Sequence, residues 1–217
     1  MLKENDSLVQ VKICGLTSMD DVHIIEKYGT DYAGMVLYYP KSRRNIDVNL
    51  AAVLVAKLKK SDIKTVAVVV SPDVSQLEAI QNAGFDYIQI HGELSEDVYG
   101  RCNIDIIRAV NIKQQTDDDI YLETKRWRSL DKVKGLLFDA GVPGSGKTFD
   151  WNSLKKVDCG NKKLFLAGGL TSDNVKTAIE AVRPDVVDIS SGVEYDDISV
   201  KGKDENKVKT FIQNAKY

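Results

Sequence analysis

Most of the residues of this chain best suited to chemistry stand beside glycines. They are Cys14 with Gly15, the PKSRR run at 40–44, His91 with Gly92, Asp139 ahead of a glycine-rich stretch, Gly168 with Gly169, and the DISSG run at 188–192. A thiol can remove a proton once it is ionised, and a carboxyl group can give or take one. A guanidinium such as that of Arg44 is a planar clamp for a carboxylate. Paired glycines let backbone N–H groups approach a phosphate, and the Ser190 and Ser191 hydroxyls would add donors. Each residue also has a plainer reading. Cys14 could be a small buried hydrophobe, Asp139 a helix cap or loop anchor, and Arg44 a solvated cation among Lys41 and Arg43. His91 could be a hydrogen-bonded structural residue, and Gly168 with Gly169 only a tight turn. The SSG run at 190–192 tips the glycine pair toward phosphate. Residues 141–148, GVPGSGKT, also satisfy G-x-x-x-x-G-K-[ST], the pattern of a nucleotide-binding loop.

The elements that would position these residues recur along the whole length. Apolar, β-branched runs fall at 9–13, 32–37, 65–70, 87–90, 104–110, 136–138, 163–167 and 186–189. Between them lie stretches with helical spacing at 20–27, 50–59, 74–82, 96–101, 117–127, 151–157, 174–182 and 205–215. Leu50, Val53, Leu54, Lys57 and Leu58 illustrate the i, i+3, i+4, i+7, i+8 stripe. Ser18, Asp47, Asp73, Ser95, Asp150 and Asp173 stand where helix N-caps belong. Continuously apolar strands suit a parallel sheet covered on both faces. Eight strand–helix units of about 27 residues predict a (β/α)8 barrel, α/β in class, over one domain of residues 1–217 with 1–8 as an N-terminal extension. Periodicity alone also permits a doubly wound open sheet; the count of eight favours the barrel. In a barrel the site lies at the C-terminal ends of the strands, where all the residues named above fall.

Composition narrows the function. A net charge of −2 supplies no large positive field, so nucleic acid and polybasic membrane binding are not expected. The three cysteines, Cys14, Cys102 and Cys159, form no C-x-x-C pair, which suggests no disulfide framework, no zinc site and a reducing compartment. The polar N-terminus lacks a signal-peptide apolar region, and no stretch reaches the length of a membrane span. A soluble, cytoplasmic protein is expected, a monomer or homodimer.

Six blocks in order, VKICGLTSMDDV, GMVLYYPKSRRNI, YIQIHGE, LLFDA…GSGKTFDW, LAGGLTSDNV and VVDISSGVE, together resemble phosphoribosylanthranilate isomerase of tryptophan biosynthesis, and the GKDENKVKTFI tail looks like that family's last helix. The resemblance implies a (β/α)8 barrel that converts N-(5-phosphoribosyl)anthranilate into 1-(2-carboxyphenylamino)-1-deoxyribulose 5-phosphate without a cofactor or metal. It implies Cys14 as general base, Asp139 as general acid and Arg44 as the clamp for the anthranilate carboxylate. It places phosphate at Gly168, Gly169, Ser190, Ser191 and Gly192, with His91 and Asp188 also toward substrate. The partner implied is a small phosphorylated molecule. Three places depart from the family pattern: the N-terminal extension, GVPGSG where many members read GGTG, and the longer acidic segment YDDISVKGKDE after Glu194.

Three rivals are weaker. In a P-loop NTPase the Lys-Thr pair opens a helix directly, whereas here Asp150 reads as a cap two residues past Thr148, before a short helix at the sixth strand. A histidine-pathway aminoimidazole ribonucleotide isomerase would share the chemistry, but those relatives generally carry aspartate where Cys14 stands. A non-catalytic phosphate-binding barrel would not need both Cys14 and Asp139.

Overall fold

The computed structural model describes residues 8–112, 116–139, 151–154 and 157–217. Their strands are β1 (Gln10–Cys14), β2 (Tyr32–Leu37), β3 (Asn45–Ile46), β4 (Lys64–Val70), β5 (Tyr87–His91), β6 (Asp105–Asn111), β7 (Val133–Asp139), β8 (Lys163–Leu166) and β9 (Val186–Ile189). They run β1-β9-β8-β7-β6-β5-β4-β2, all parallel, and β1 pairs with β2, which closes the ring. The predicted closed eight-stranded barrel is therefore the fold, and the open doubly wound alternative falls. β3 lies outside the ring, paired with the end of β2, and sequence reading did not foresee it. Two residues long, it has no periodicity to detect.

Alternation along each strand divides the core in two. Residues facing the helices join one large cluster, from Val11 and Ile13 to Phe211 and Ile212. A smaller cluster fills the barrel: Cys14, Tyr32, Val66, Val68, Ile107, Ala109, Leu137, Phe165, Ala167 and Val186. Tyr32 meets Phe165 and Tyr87 edge-on, with ring centroids 5.4 and 5.8 Å apart. Lys163 Nζ donates to Gln10 Oε1 and to Tyr32 Oη, sealing this floor with polar contacts. The opposite, C-terminal end is left to the reactive residues.

The helices are α1 (Met19–Tyr28), α2 (Val48–Leu58), α3 (Val74–Asn82), α4 (Glu96–Arg101), α5 (Asp117–Arg128), α6 (Val175–Val182) and α7 (Glu205–Lys216). Ser18, Asp47, Asp73 and Ser95 cap α1 to α4 as expected, each accepting from a backbone N–H of the first turn. Asp173 does not cap α6. Asn174 holds that position without a side-chain cap bond of its own, because its Oδ1 accepts from Thr171 N–H and its Nδ2 donates to Gly169 O. The helix expected at 151–157 is a 3-10 turn, Trp151–Leu154, in its described part. Asp150 and the whole 141–148 run lie outside the described residues, and so do residues 1–7 of the expected extension.

Gly135 marks close packing inside the barrel: a Cβ there would lie 2.5 Å from Phe165 Cε2. Gly135→Ala is expected to destabilise the fold by about 1–3 kcal/mol through overpacking, read from urea unfolding midpoints. An unchanged midpoint would show that the aromatic floor yields freely.

Candidate active site at the barrel mouth

Because every strand of the ring is parallel, their last residues share one rim. Cys14 ends β1, His91 ends β5, Asn111 ends β6 and Asp139 ends β7. Gly168 and Gly169 follow β8, and Ser190, Ser191 and Gly192 follow β9. The structure thus brings these residues to the same end, with Arg44 in the loop after β2, whereas Asp188 lies lower in β9, in register with Lys12. Around the ring β1 and β7 are separated by β9 and β8, so Cys14 and Asp139 stand on different sides of the mouth.

Below Cys14 lies a group that sequence reading passed over. Period-two alternation puts Lys12 on the same inward face, two residues before Cys14. Its side chain is wholly buried, and its ammonium donates to Asp188 Oδ2 at 2.8 Å. Burial alone would push the Lys12 ammonium down, but Asp188 and the Cys14 sulfur outweigh it and hold it above its ordinary value. Asp188 Oδ1 has no hydrogen-bond partner among the described residues. The glycine opposite, Gly34, supplies the room: a Cβ there would lie 2.9 Å from Cys14 Sγ and 3.2 Å from Lys12 Nζ. Burial pushes the Cys14 thiol above its usual range; Lys12 pulls it back, Asp188 adds to the rise, and Lys203 pulls back more weakly.

Lys203 is the second residue missed. It lies within the segment after Glu194, YDDISVKGKDE, and its side chain is also wholly buried. Its ammonium contacts Glu194 Oε1 at 3.2 Å and Ser190 O at 3.3 Å, and its backbone N–H donates to Asp21 Oδ1. Glu194 also braces Arg44, accepting from Nε at Oε1 and from Nη2 at Oε2, 3.0 Å away. Burial opposes ionisation of Glu194, but Arg44 and Lys203 overcome it and hold its carboxyl below the ordinary value. Arg43 donates to Val200 O at 2.8 Å, tying the same segment to the loop after β2. No local pattern marks Lys203, since its burial depends on α1, where Asp21 lies 182 residues away in the chain.

The two glycine turns form one surface. Gly168 and Gly169 have φ of 88° and 66°, a left-handed pair suited to glycine. A Cβ on Gly192 would lie 2.5 Å from Leu170 O, so the turn after β9 packs directly on the turn after β8. Ser190 Oγ donates to Cys14 O at 2.9 Å, which joins this surface to β1. Ser191 opens a 3-10 turn, Ser191–Val193.

His91 faces this charged group from β5. The Gln89 side-chain amide lies 2.9 Å from its Nε2. Burial, then repulsion from Lys12 and Arg108, lowers its pKa to about 4, so the ring is neutral at pH 7. Arg108 is on the other face of β6, stacked on Trp127 and donating to Ile90 O and Gly92 O. It fixes the loop after β5 from outside the barrel.

A closed parallel barrel with its charged residues gathered at the C-terminal mouth defines the class: a (β/α)8-barrel enzyme. Residues 11–214 match the family model described as N-(5'phosphoribosyl)anthranilate (PRA) isomerase, and the chain belongs to that family, an isomerase of tryptophan biosynthesis. N-(5'-phosphoribosyl)anthranilate isomerase of Streptococcus mutans is 40% identical over 210 residues, covering 96% of this chain and 100% of the relative. The crystal structure of phosphoribosyl anthranilate isomerase from Thermotoga maritima superposes with a TM-score of 0.83 at 32% identity, covering 96% and 99% of the two chains. A further solved isomerase, in complex with reduced 1-(o-carboxyphenylamino)-1-deoxyribulose 5-phosphate, gives 0.80 at 31% identity, again over 96% and 99%.

The neutral histidine carries a stability consequence. Unfolded, His91 titrates near 6.5; folded, it resists protonation down to about 4. Its contribution is whole above pH 6.5 and is lost as pH falls through that window, on the order of 3 kcal/mol. His91→Gln is expected to flatten the fall in stability between pH 7 and 4, measured by urea unfolding at each pH. Parallel curves for the two proteins would count against this.

Proposed function

We propose that this chain converts N-(5-phosphoribosyl)anthranilate into 1-(2-carboxyphenylamino)-1-deoxyribulose 5-phosphate, with Asp139 as general acid and Cys14 as general base. The observation that carries the reading is the placement of Cys14 and Asp139 on different sides of one barrel mouth, in a chain of this family. Opening the ribose ring needs a proton on the ring oxygen, which a protonated Asp139 supplies. The iminium that results makes the proton on the adjacent carbon acidic. The Cys14 thiolate removes it, leaving an enolamine that tautomerises to the aminoketose. The same two groups then return to their starting protonation states, so no cofactor enters.

Binding follows from charge. The substrate's phosphate would sit on the joined turns of Gly168, Gly169, Ser190, Ser191 and Gly192. Glu194 engages Nε and Nη2 of Arg44 and so sets the plane of its guanidinium, whose remaining edge would receive the anthranilate carboxylate. His91, neutral, and Asp188, with one oxygen unpartnered among the described residues, would face the sugar hydroxyls. The relative bound to a reduced product analogue supports a small phosphorylated ligand. We read the chain as one barrel domain over 1–217, acting in the cytoplasm as a monomer or homodimer. No helix of the described residues is long and apolar enough to cross a membrane.

The test is the loss of substrate fluorescence with purified protein beside Cys14→Ser and Asp139→Asn. Wild-type turnover is expected to fall by about 10²–10⁴-fold in each variant. Retained turnover in either would remove that residue from its role, and no wild-type turnover would remove the substrate. Because burial raises the thiol, kcat/KM is also expected to climb with pH above neutrality as the thiolate forms. A flat profile from pH 7 to 9 would contradict Cys14 as the base.

A further inference from the structure

The structure leaves a chemical problem at Cys14. A base that works as a thiolate sits buried at 8% exposure, where negative charge is disfavoured. Something fixed must carry the opposite charge. Lys12, which the proposed acid–base roles leave unused, shares the inward face of β1 with Cys14.

We propose that Lys12 is a positioning residue for the Cys14 thiolate: its ammonium, anchored by Asp188, lies against the sulfur and holds its negative charge ready for proton abstraction. The inference rests on Cys14 being the base and extends that reading to what makes it one. Lys12 Nζ and Cys14 Sγ both approach the point where Gly34 lacks a Cβ, at 3.2 and 2.9 Å, so they lie within about 6 Å of each other, the range of direct charge effects. Lys12 Nζ keeps its 2.8 Å contact to Asp188 while its positive charge acts on the sulfur. The anchor matters because a lysine stem is flexible and an unpaired ammonium in the barrel would lose its proton. Gly34 matters because any side chain on that inward position of β2 would occupy the gap between sulfur and nitrogen.

The other charged groups around the sulfur do not supply this role equally. Lys203 reaches from the closing segment but is committed to Glu194 and the Ser190 carbonyl. Arg44, from the loop after β2, is braced by Glu194. Asp188 opposes the thiolate, and His91, on β5, is neutral at pH 7. Asp139, at the end of β7, lies around the ring. When the thiolate takes the substrate proton it becomes a neutral thiol, Lys12 keeps its own proton and its pairing with Asp188, and no charge is stranded.

The experiment measures the rate of iodoacetamide alkylation at Cys14 against pH, resolved by peptide mass, with Cys102 and Cys159 in the same molecule as comparison. It is run on the wild type, on Lys12→Met, and on Lys12→Met/Asp188→Asn, which leaves no unpaired charge buried if the single variant folds poorly. The midpoint for Cys14 is expected to rise by about one pH unit or more in Lys12→Met, and by less in the double variant, because Asp188 itself raises the thiol. In Lys12→Met the acidic limb of kcat should move with it while KM changes less than twofold; the double variant, which also alters a substrate-facing carboxylate, is read by alkylation alone. An unmoved Cys14 midpoint in folded variants, or a KM effect with the limb in place, would overturn the proposal. Absence of wild-type turnover would instead overturn the assigned reaction, leaving the alkylation midpoints to judge Lys12.

Discussion

The contact on which the mouth of this barrel depends is the buried pair of Lys12 and Asp188. It joins β1 to β9, the first and last strands of the chain, which pair directly in the ring. Such a pair adds little net stability, since desolvating both charges consumes most of their attraction. Breaking it is another matter, because the surviving charge would be stranded in an apolar lumen. The pair therefore specifies an arrangement more than it stabilises one: with Lys12 held, Cys14 has a fixed cation beneath it and Gly34 a reason to lack a side chain.

Around this pair the charges form an uneven set. Lys12, Lys203 and Arg44 face Asp188 and Glu194, so the named group carries one more cation than anion before any ligand arrives. A ligand bearing a carboxylate and a phosphate would meet a site already biased to receive it. The same bias competes with burial at Cys14, where desolvation is the larger effect and Lys12 the larger of its two opponents. The closing segment contributes through Lys203 and through its tie to Arg43, which makes the sequence after Glu194 part of the mouth's construction. Glu194 and Lys203 also pair directly as an antiparallel bridge, which holds the segment between them at the mouth.

Much of this was legible in the chain itself. Apolar runs at a spacing of about 27 residues, ended by reactive residues and glycines, give the eight strands, their common direction and the rim on which Cys14 and Asp139 stand. Four of the expected caps act as caps because Ser and Asp bond locally to the turn that follows them. Asp173 does not cap for an equally local reason: the neighbouring Asn174 holds the cap position, its side chain bonded to Thr171 and Gly169. The 3-10 turn at Trp151–Leu154 replaced an expected helix where the apolar spacing spans less than two turns, too little to hold an α-helix by its own propensity.

Amino-acid type and spacing, acting over a few residues, determined the elements, the barrel and the list of rim residues, because alternation and capping depend only on near neighbours. Tertiary structure alone decided which charges meet. Lys12 and Asp188 are 176 residues apart, Arg44 and Glu194 150 apart, and each pair exists because ring closure folds distant strands onto one lumen. Lys203 would read as one of many surface lysines in any local window. Its pairing with Glu194, nine residues away, is local, but the closed barrel buries that pair and brings Asp21 from across the chain to accept the Lys203 backbone N–H.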